Sequence, residues 1–161
     1  MNDTPGKEMN TKHDETIETN DWFLELLVDL INKAMFPNLY ITLNVGGVLI
    51  SGVLVNGKQY FDEVTKNLVT IVESLGAEPD IIKMFEEQLS PLSKVYKDLL
   101  NKDKEEKPPV PIHYIHLKNV QFFVGDHQKP IHKNPAWWRG RVSKVDGFMI
   151  GKMEVREEQT P

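Results

Sequence analysis

The sequence predicts an α+β fold. An N-terminal helix leads into a small, strongly bent antiparallel β-sheet or barrel, with a helical insertion between its second and third strands. Three observations carry this expectation. Polar residues recur every fourth position through the first apolar stretch, two alternating apolar runs meet at Gly46-Gly47, and helical spacing then interrupts the strand pattern from about Lys58 to Leu100.

The first element is "DWFLELLVDLINKAMFP". Asp21, Glu25, Asp29 and Lys33 draw one wet stripe on an otherwise apolar rod. Asn20 or Asp21 can cap its start, and Pro37 prevents its continuation. The stripe is narrow, so the helix is either well buried or docks a partner through surplus apolar surface. In "LYITLNVGGVLISGVLV" Ile41, Leu43 and Val45 alternate with Tyr40, Thr42 and Asn44, and the glycine pair is a hairpin signal before a returning strand, Val48 to Val55. Gly52 inside that strand predicts a bulge or sharp bend. "GKQYFDEVTKNLVTIVESLG" then places Phe61, Val64, Leu68, Ile71, Val72 and Leu75 on one helical face, with Gly76 as its stop. "EPDIIKMFEEQL" is a second inserted helix, and Pro91 starts or kinks a third piece that runs to about Leu100.

After a charged and proline-rich linker, 101–111, "IHYIHLKNVQFFVG" is strand again. "DHQKPIHKNP" reads as a loop, and "AWWRGRVSKVDGFMIGKMEV" closes the fold with Asp146-Gly147 expected as a tight hairpin turn. Helix followed by five bent antiparallel strands is the order of Sm-like small barrels; an α+β sandwich that does not close is the rival. Residues 21–155 form the single domain. Residues 1–20 are an acidic segment too polar to offset its ordering entropy, hence a disordered tail, and 156–161 are a polar tail.

Composition narrows function. The chain has 161 residues and a net charge of −5, which disfavours a general nucleic-acid binder while leaving room for a local basic patch. It has no cysteine, so disulfides, thiolate metal sites and thiol catalysis are excluded, and an intracellular home fits best. No apolar run approaches a membrane span, and the N-terminus has no signal-peptide core.

Five histidines invite a metal reading. His113 and His116, three apart in a strand, point to opposite faces and would not chelate one ion. His127, His132 and Asp126 share a loop, but their spacing matches no zinc pattern, so no metal or other cofactor is expected. Ser51, Ser143, His116 and Asp146 come with no nucleophile elbow or oxyanion motif, and "GGVLISG" is not a dinucleotide fingerprint. An enzyme is not expected.

The terminal stretch is the candidate binding element. Arg139, Arg141, Lys144 and Lys152 against Asp146 give a local charge of +3 in an acidic chain. In a strand Trp137, Arg139 and Arg141 share one face and Trp138 takes the other. One tryptophan would then be core and Trp137 an exposed platform flanked by guanidinium groups whose reversal costs the fold little. The competing reading makes the arginines solvated guards of a sheet edge. Trp137, Trp138, Arg139, Arg141 and Lys144 are thus the expected protein-binding residues. Six acids against two lysines over Met1 to Asp21 could also meet this basic stretch in another copy, giving weak self-association.

"ITLNVGGVLISGVLVNGKQYFDEV", "YIHLKNV", "GD" and "WWRGRVSKVDGFMIGK" together resemble the GvpU family of gas vesicle accessory proteins. That family shows a strand–Gly–strand unit with an I-S-G core, a Y-F helix start, a variable helical middle, then I-H-L-K-N, G-D and W-R-G followed by V-D-G-F and G-K. The resemblance covers roughly Leu39 to Lys152, and "WRGRVSKVDGFMIGK" is its most specific part. It implies a cytoplasmic, non-enzymatic protein serving gas vesicles, the gas-filled protein shells that give some prokaryotes buoyancy. It would bind shell or other vesicle proteins and influence how vesicles assemble or cluster. No catalytic or ligand residue is carried over. The alternative is an Sm-like RNA-binding module.

Overall fold

The computed structural model describes residues 21–35, 37, 39–100, 113–125 and 136–154. The acidic segment 1–20, the linker, the histidine loop and the segment 155–161 lie outside the described residues, as do the expectations placed on them. The elements follow in the order α1 (Trp22–Asn32), β1 (Leu39–Val45), β2 (Val48–Val55), α2 (Gly57–Ser74), α3 (Pro79–Leu100), β3 (Tyr114–Phe123), β4 (Trp138–Arg141), a 3-10 turn (Val142–Lys144) and β5 (Gly147–Ile150).

The Asp21 carboxylate accepts from the backbone N–H groups of Phe23 and Leu24 and so caps α1. The helix ends at Asn32, five residues before Pro37, because Ala34 adopts a left-handed φ of 54°. Leu24, Leu27, Val28 and Ile31 are buried against the sheet. Their burial contributes roughly 6–12 kcal/mol before entropy is subtracted, which is what holds a helix too short to persist alone in water. The other flank stays wet: Trp22 is 74% exposed, with Phe23 and Leu26 also exposed. The narrow polar stripe thus reflects neither full burial nor uniform exposure.

All strand pairings are antiparallel, and the sheet order is β4-β3-β2-β1-β5. Gly46 and Gly47 turn the β1–β2 hairpin at φ 58° and 83°, as their sequence signalled. The register between β2 and β3 slips between Ser51 and Val53, which is the bend expected at Gly52. A Cβ on Gly52 would lie 3.0 Å from the Lys118 carbonyl oxygen, so the bulge needs the missing side chain.

Two expectations fail near the C-terminus. The sheet does not close: β4 and β5 stand at opposite edges, and they do not form a hairpin through Asp146-Gly147. The chain crosses instead through the 3-10 turn, and Gly147 is the first residue of β5 with no positive φ. In a flat sheet the outer strands would lie about 19 Å apart across it, and the registers put Arg141 and Gly147 a further ~26 Å apart along the strands (about eight residues). The step from Arg141 to Gly147 reaches at most about 20 Å, so the sheet must curl strongly for the connection to span it, although its edges are not hydrogen-bonded to each other. Asp146 is tied to the neighbouring β1–β2 turn instead: its carboxylate accepts from Gly46 N–H at 2.6 Å and its own N–H donates to the Asn44 carbonyl at 2.9 Å.

The helical insertion is two helices, not three pieces. α3 runs continuously through Pro91, which removes one backbone donor without ending the helix. Asn56 caps α2 by accepting from Gln59 N–H, and Gly76 (φ 79°) stops the chain after it. The two helices pack on each other as an arm that touches α1 and whose base meets β3 at His116, between the residues Ile115 and Leu117 that face the α1 core.

Candidate functional site

β3 is buried on both faces near its start: Ile115, His116 and Leu117 are all at most 1% exposed. Ile115 and Leu117 belong to the core with α1. His116 meets the base of the arm, where its ring lies 4.7 Å from Tyr60, 5.6 Å from Tyr96 and 5.8 Å from Phe61, centroid to centroid. Tyr96 also lies across Gly57, where a Cβ would sit 2.2 Å from its ring. The first residue of α2 must therefore be glycine for α3 to dock this closely.

The register places Arg139 of β4 opposite His116 and Arg141 opposite Tyr114. Arg139 donates from Nε to His116 Nε2 at 3.3 Å, and its guanidinium carbon lies 3.4 Å from the Tyr114 ring centroid and 5.7 Å from that of Phe61. A cation held over aromatic faces contributes roughly 0.5–2 kcal/mol. Because Nε2 accepts, the neutral ring carries its proton on Nδ1, and that buried atom has no partner. Burial, with a smaller push from Arg139, lowers the His116 pKa to about 3. Burial raises the Tyr60 and Tyr96 phenols above their ordinary value, with Arg139 opposing it in each case.

The five expected binding residues divide. Trp138 is half-buried against the core, where its ring crosses Gly140. Trp137 is not an open platform; it is half-buried with its ring 6.2 Å from Tyr60. Arg139 keeps solvent exposure but joins sheet to arm, so reversing its charge would disturb the fold, contrary to the sequence expectation. Arg141 and Lys144 are exposed, Lys144 in the 3-10 turn. Neither arginine has an ion-pair partner among the described residues.

Tyr60, Phe61, Tyr96, Tyr114 and His116 form the surroundings that the sequence did not assemble. The usable signal was the uninterrupted "YIHL" in a strand, since a histidine inside a run buried on both faces must have a second layer over it. His113 and His116 do point apart, one exposed and one buried. Among the described residues no group of three or more His, Asp or Glu side chains could hold a metal, and no helix is long and apolar enough to cross a membrane.

Fold and site together define an α+β protein whose helical arm is pinned to an open, curled sheet by an aromatic and arginine cluster, beside an exposed basic strand end. The chain belongs to the GvpU-like family: the family described as gas vesicle protein GvpU-like matches residues 21–153, which span both the arm and the basic strand end. No curated protein and no solved structure matches the chain.

Proposed function

We propose that this gas vesicle protein is a non-enzymatic accessory factor of the cytoplasm that binds vesicle shell or other vesicle proteins through the outer end of β4 and thereby influences vesicle assembly or clustering. The observation that carries the reading is Arg141: an exposed guanidinium without an ion-pair partner among the described residues, on the strand whose other side chains are engaged in the arm cluster and the core. Exposed arginine beside well-packed aromatics is the composition of an interface anchor. Family membership supplies the vesicle. The rings of Tyr60, Phe61 and Tyr96 are packed around His116 rather than standing free as base-stacking platforms, so the RNA-binding alternative gains no support.

The test is co-flotation of purified protein with isolated vesicles. Arg141→Glu should fold as the wild type by circular dichroism, because the side chain is exposed, and should lose most of its vesicle-bound fraction. Wild-type flotation of a folded Arg141→Glu protein would remove this strand end from the binding surface and turn attention to the exposed flank of α1 around Trp22.

A further inference from the structure

The partner's chemistry can be read from a notch at the end of the same strand. His113, Tyr114, Arg141 and Ser143 line a hollow of about 260 Å³, open on one side. Its frame is fixed by backbone. Tyr114 and Arg141 are register partners, Val142 N–H donates to the His113 carbonyl at 3.0 Å, and the 3-10 turn carries Ser143 onto the rim. The Arg139 guanidinium stacked on Tyr114 holds that wall of the notch in place.

We propose that this notch is a carboxylate-binding site, and that it receives an aspartate or glutamate side chain from the protein partner of the preceding section, on which reading the assignment of a partner rests. Arg141 offers a planar fork that matches two carboxylate oxygens. Ser143 hydroxyl, Tyr114 phenol and the His113 imidazole each carry a hydrogen-bond donor, and none of the four lining residues is acidic. The lining has one permanent positive charge. That balances a monoanion, whereas a phosphate dianion would call for a second cation, and Arg139 is committed to Tyr114 and His116. The volume falls below the usual range of about 300–1,000 Å³ for small-molecule pockets, which fits one side chain of a larger partner.

The experiment reads the notch without vesicles. Isotope-labelled full-length protein at low salt is titrated with a blocked Glu-Gly-Glu tripeptide, with its Gln-Gly-Gln counterpart, and with inorganic phosphate, while amide shifts are followed by NMR. The glutamate peptide should move the amides of residues 141–144 saturably. The glutamine peptide should produce less than a tenth of that shift at equal concentration, and phosphate should bind more weakly than the glutamate peptide. Arg141→Gln should weaken glutamate-peptide binding at least tenfold, and Ser143→Ala should weaken it by a smaller factor. Equal shifts from the glutamine peptide, or undiminished binding by Arg141→Gln, would overturn the site; tighter binding of phosphate would overturn its assignment to carboxylates. Peptide binding that survives while vesicle flotation proves independent of Arg141 would sink the vesicle reading and leave the carboxylate site standing.

Discussion

Acidification should release this fold through His116. In an unfolded chain its imidazole titrates near the ordinary 6.5, whereas in the native structure burial between sheet and arm, aided by Arg139, lowers it to about 3. Between those values the unfolded state binds a proton that the native state refuses. The stability tied to the neutral ring is therefore present above about pH 6.5 and is lost progressively as pH falls toward the native value. At pH 4.5 the unfolded His116 is two units below its pKa while the native His116 ring remains essentially neutral, so the loss from pH 7 at this site is about 2–3 kcal/mol. The assay is urea denaturation of wild type and His116→Gln at both pH values, followed by far-ultraviolet circular dichroism. Glutamine does not titrate and retains an oxygen to accept from Arg139. Asp62, whose carboxyl is held below its ordinary pKa mainly by a hydrogen bond from Lys58, also loses stability in acid, but it does so in both proteins and cancels. The wild type should lose about 2–3 kcal/mol more than the variant between the two pH values. Equal losses would refute the reasoning, whatever the variant's stability at pH 7.

Three further outcomes are expected. Gly57→Ala should destabilise by roughly 1–3 kcal/mol in thermal or urea melts, because the new methyl collides with the Tyr96 ring and the arm must shift; Gly147→Val, by contrast, should be close to neutral, since its backbone is ordinary and its Cβ direction is open. A chain trimmed to residues 21–155 should melt within a few degrees of the full protein, and a large drop would mean that a removed segment packs on the domain. If the acidic segment meets the basic strand end of another copy, light scattering should be raised at low salt and fall as salt is added, and scattering indifferent to salt would dismiss that contact.

Much of the fold was legible because each element carries its own period. The Gly46-Gly47 turn, the Gly52 bulge, the Gly76 stop and the Asp21 cap are local events that nearest neighbours in sequence decide. The C-terminal connection is not legible locally, because Asp146-Gly147 has the composition of a hairpin turn while its role is set by distant atoms: the Asp146 carboxylate accepts from Gly46 N–H, a hundred positions away. Pro91 locally reads as a helix breaker, yet α3 packed on α2 tolerates its one missing donor. At the site, strand alternation put Trp138 on the core side but could not show that a helical arm would descend on the face of Arg139 and leave Trp137 half-buried beside Tyr60. Its docking depends on Tyr96 meeting Gly57 and His116, contacts between residues that share no local pattern.

The last strand is stitched to the first hairpin by side chains as well as by pairing. Thr42 Oγ1 lies 2.9 Å from Ser51 Oγ and 3.1 Å from the Gly151 carbonyl, and Ser51 Oγ accepts from Met153 N–H at 2.9 Å. Thr42 and Gly151 are 109 positions apart. During synthesis β1 must therefore wait, its outer edge unpaired and the buried hydroxyls of Thr42 and Ser51 short of their partners, until residues beyond the arm and β4 have emerged. Such long-range closure makes folding slow and leaves the waiting edge open to foreign strands. The newborn chain, rather than the finished protein, is the form of this molecule most in need of a chaperone.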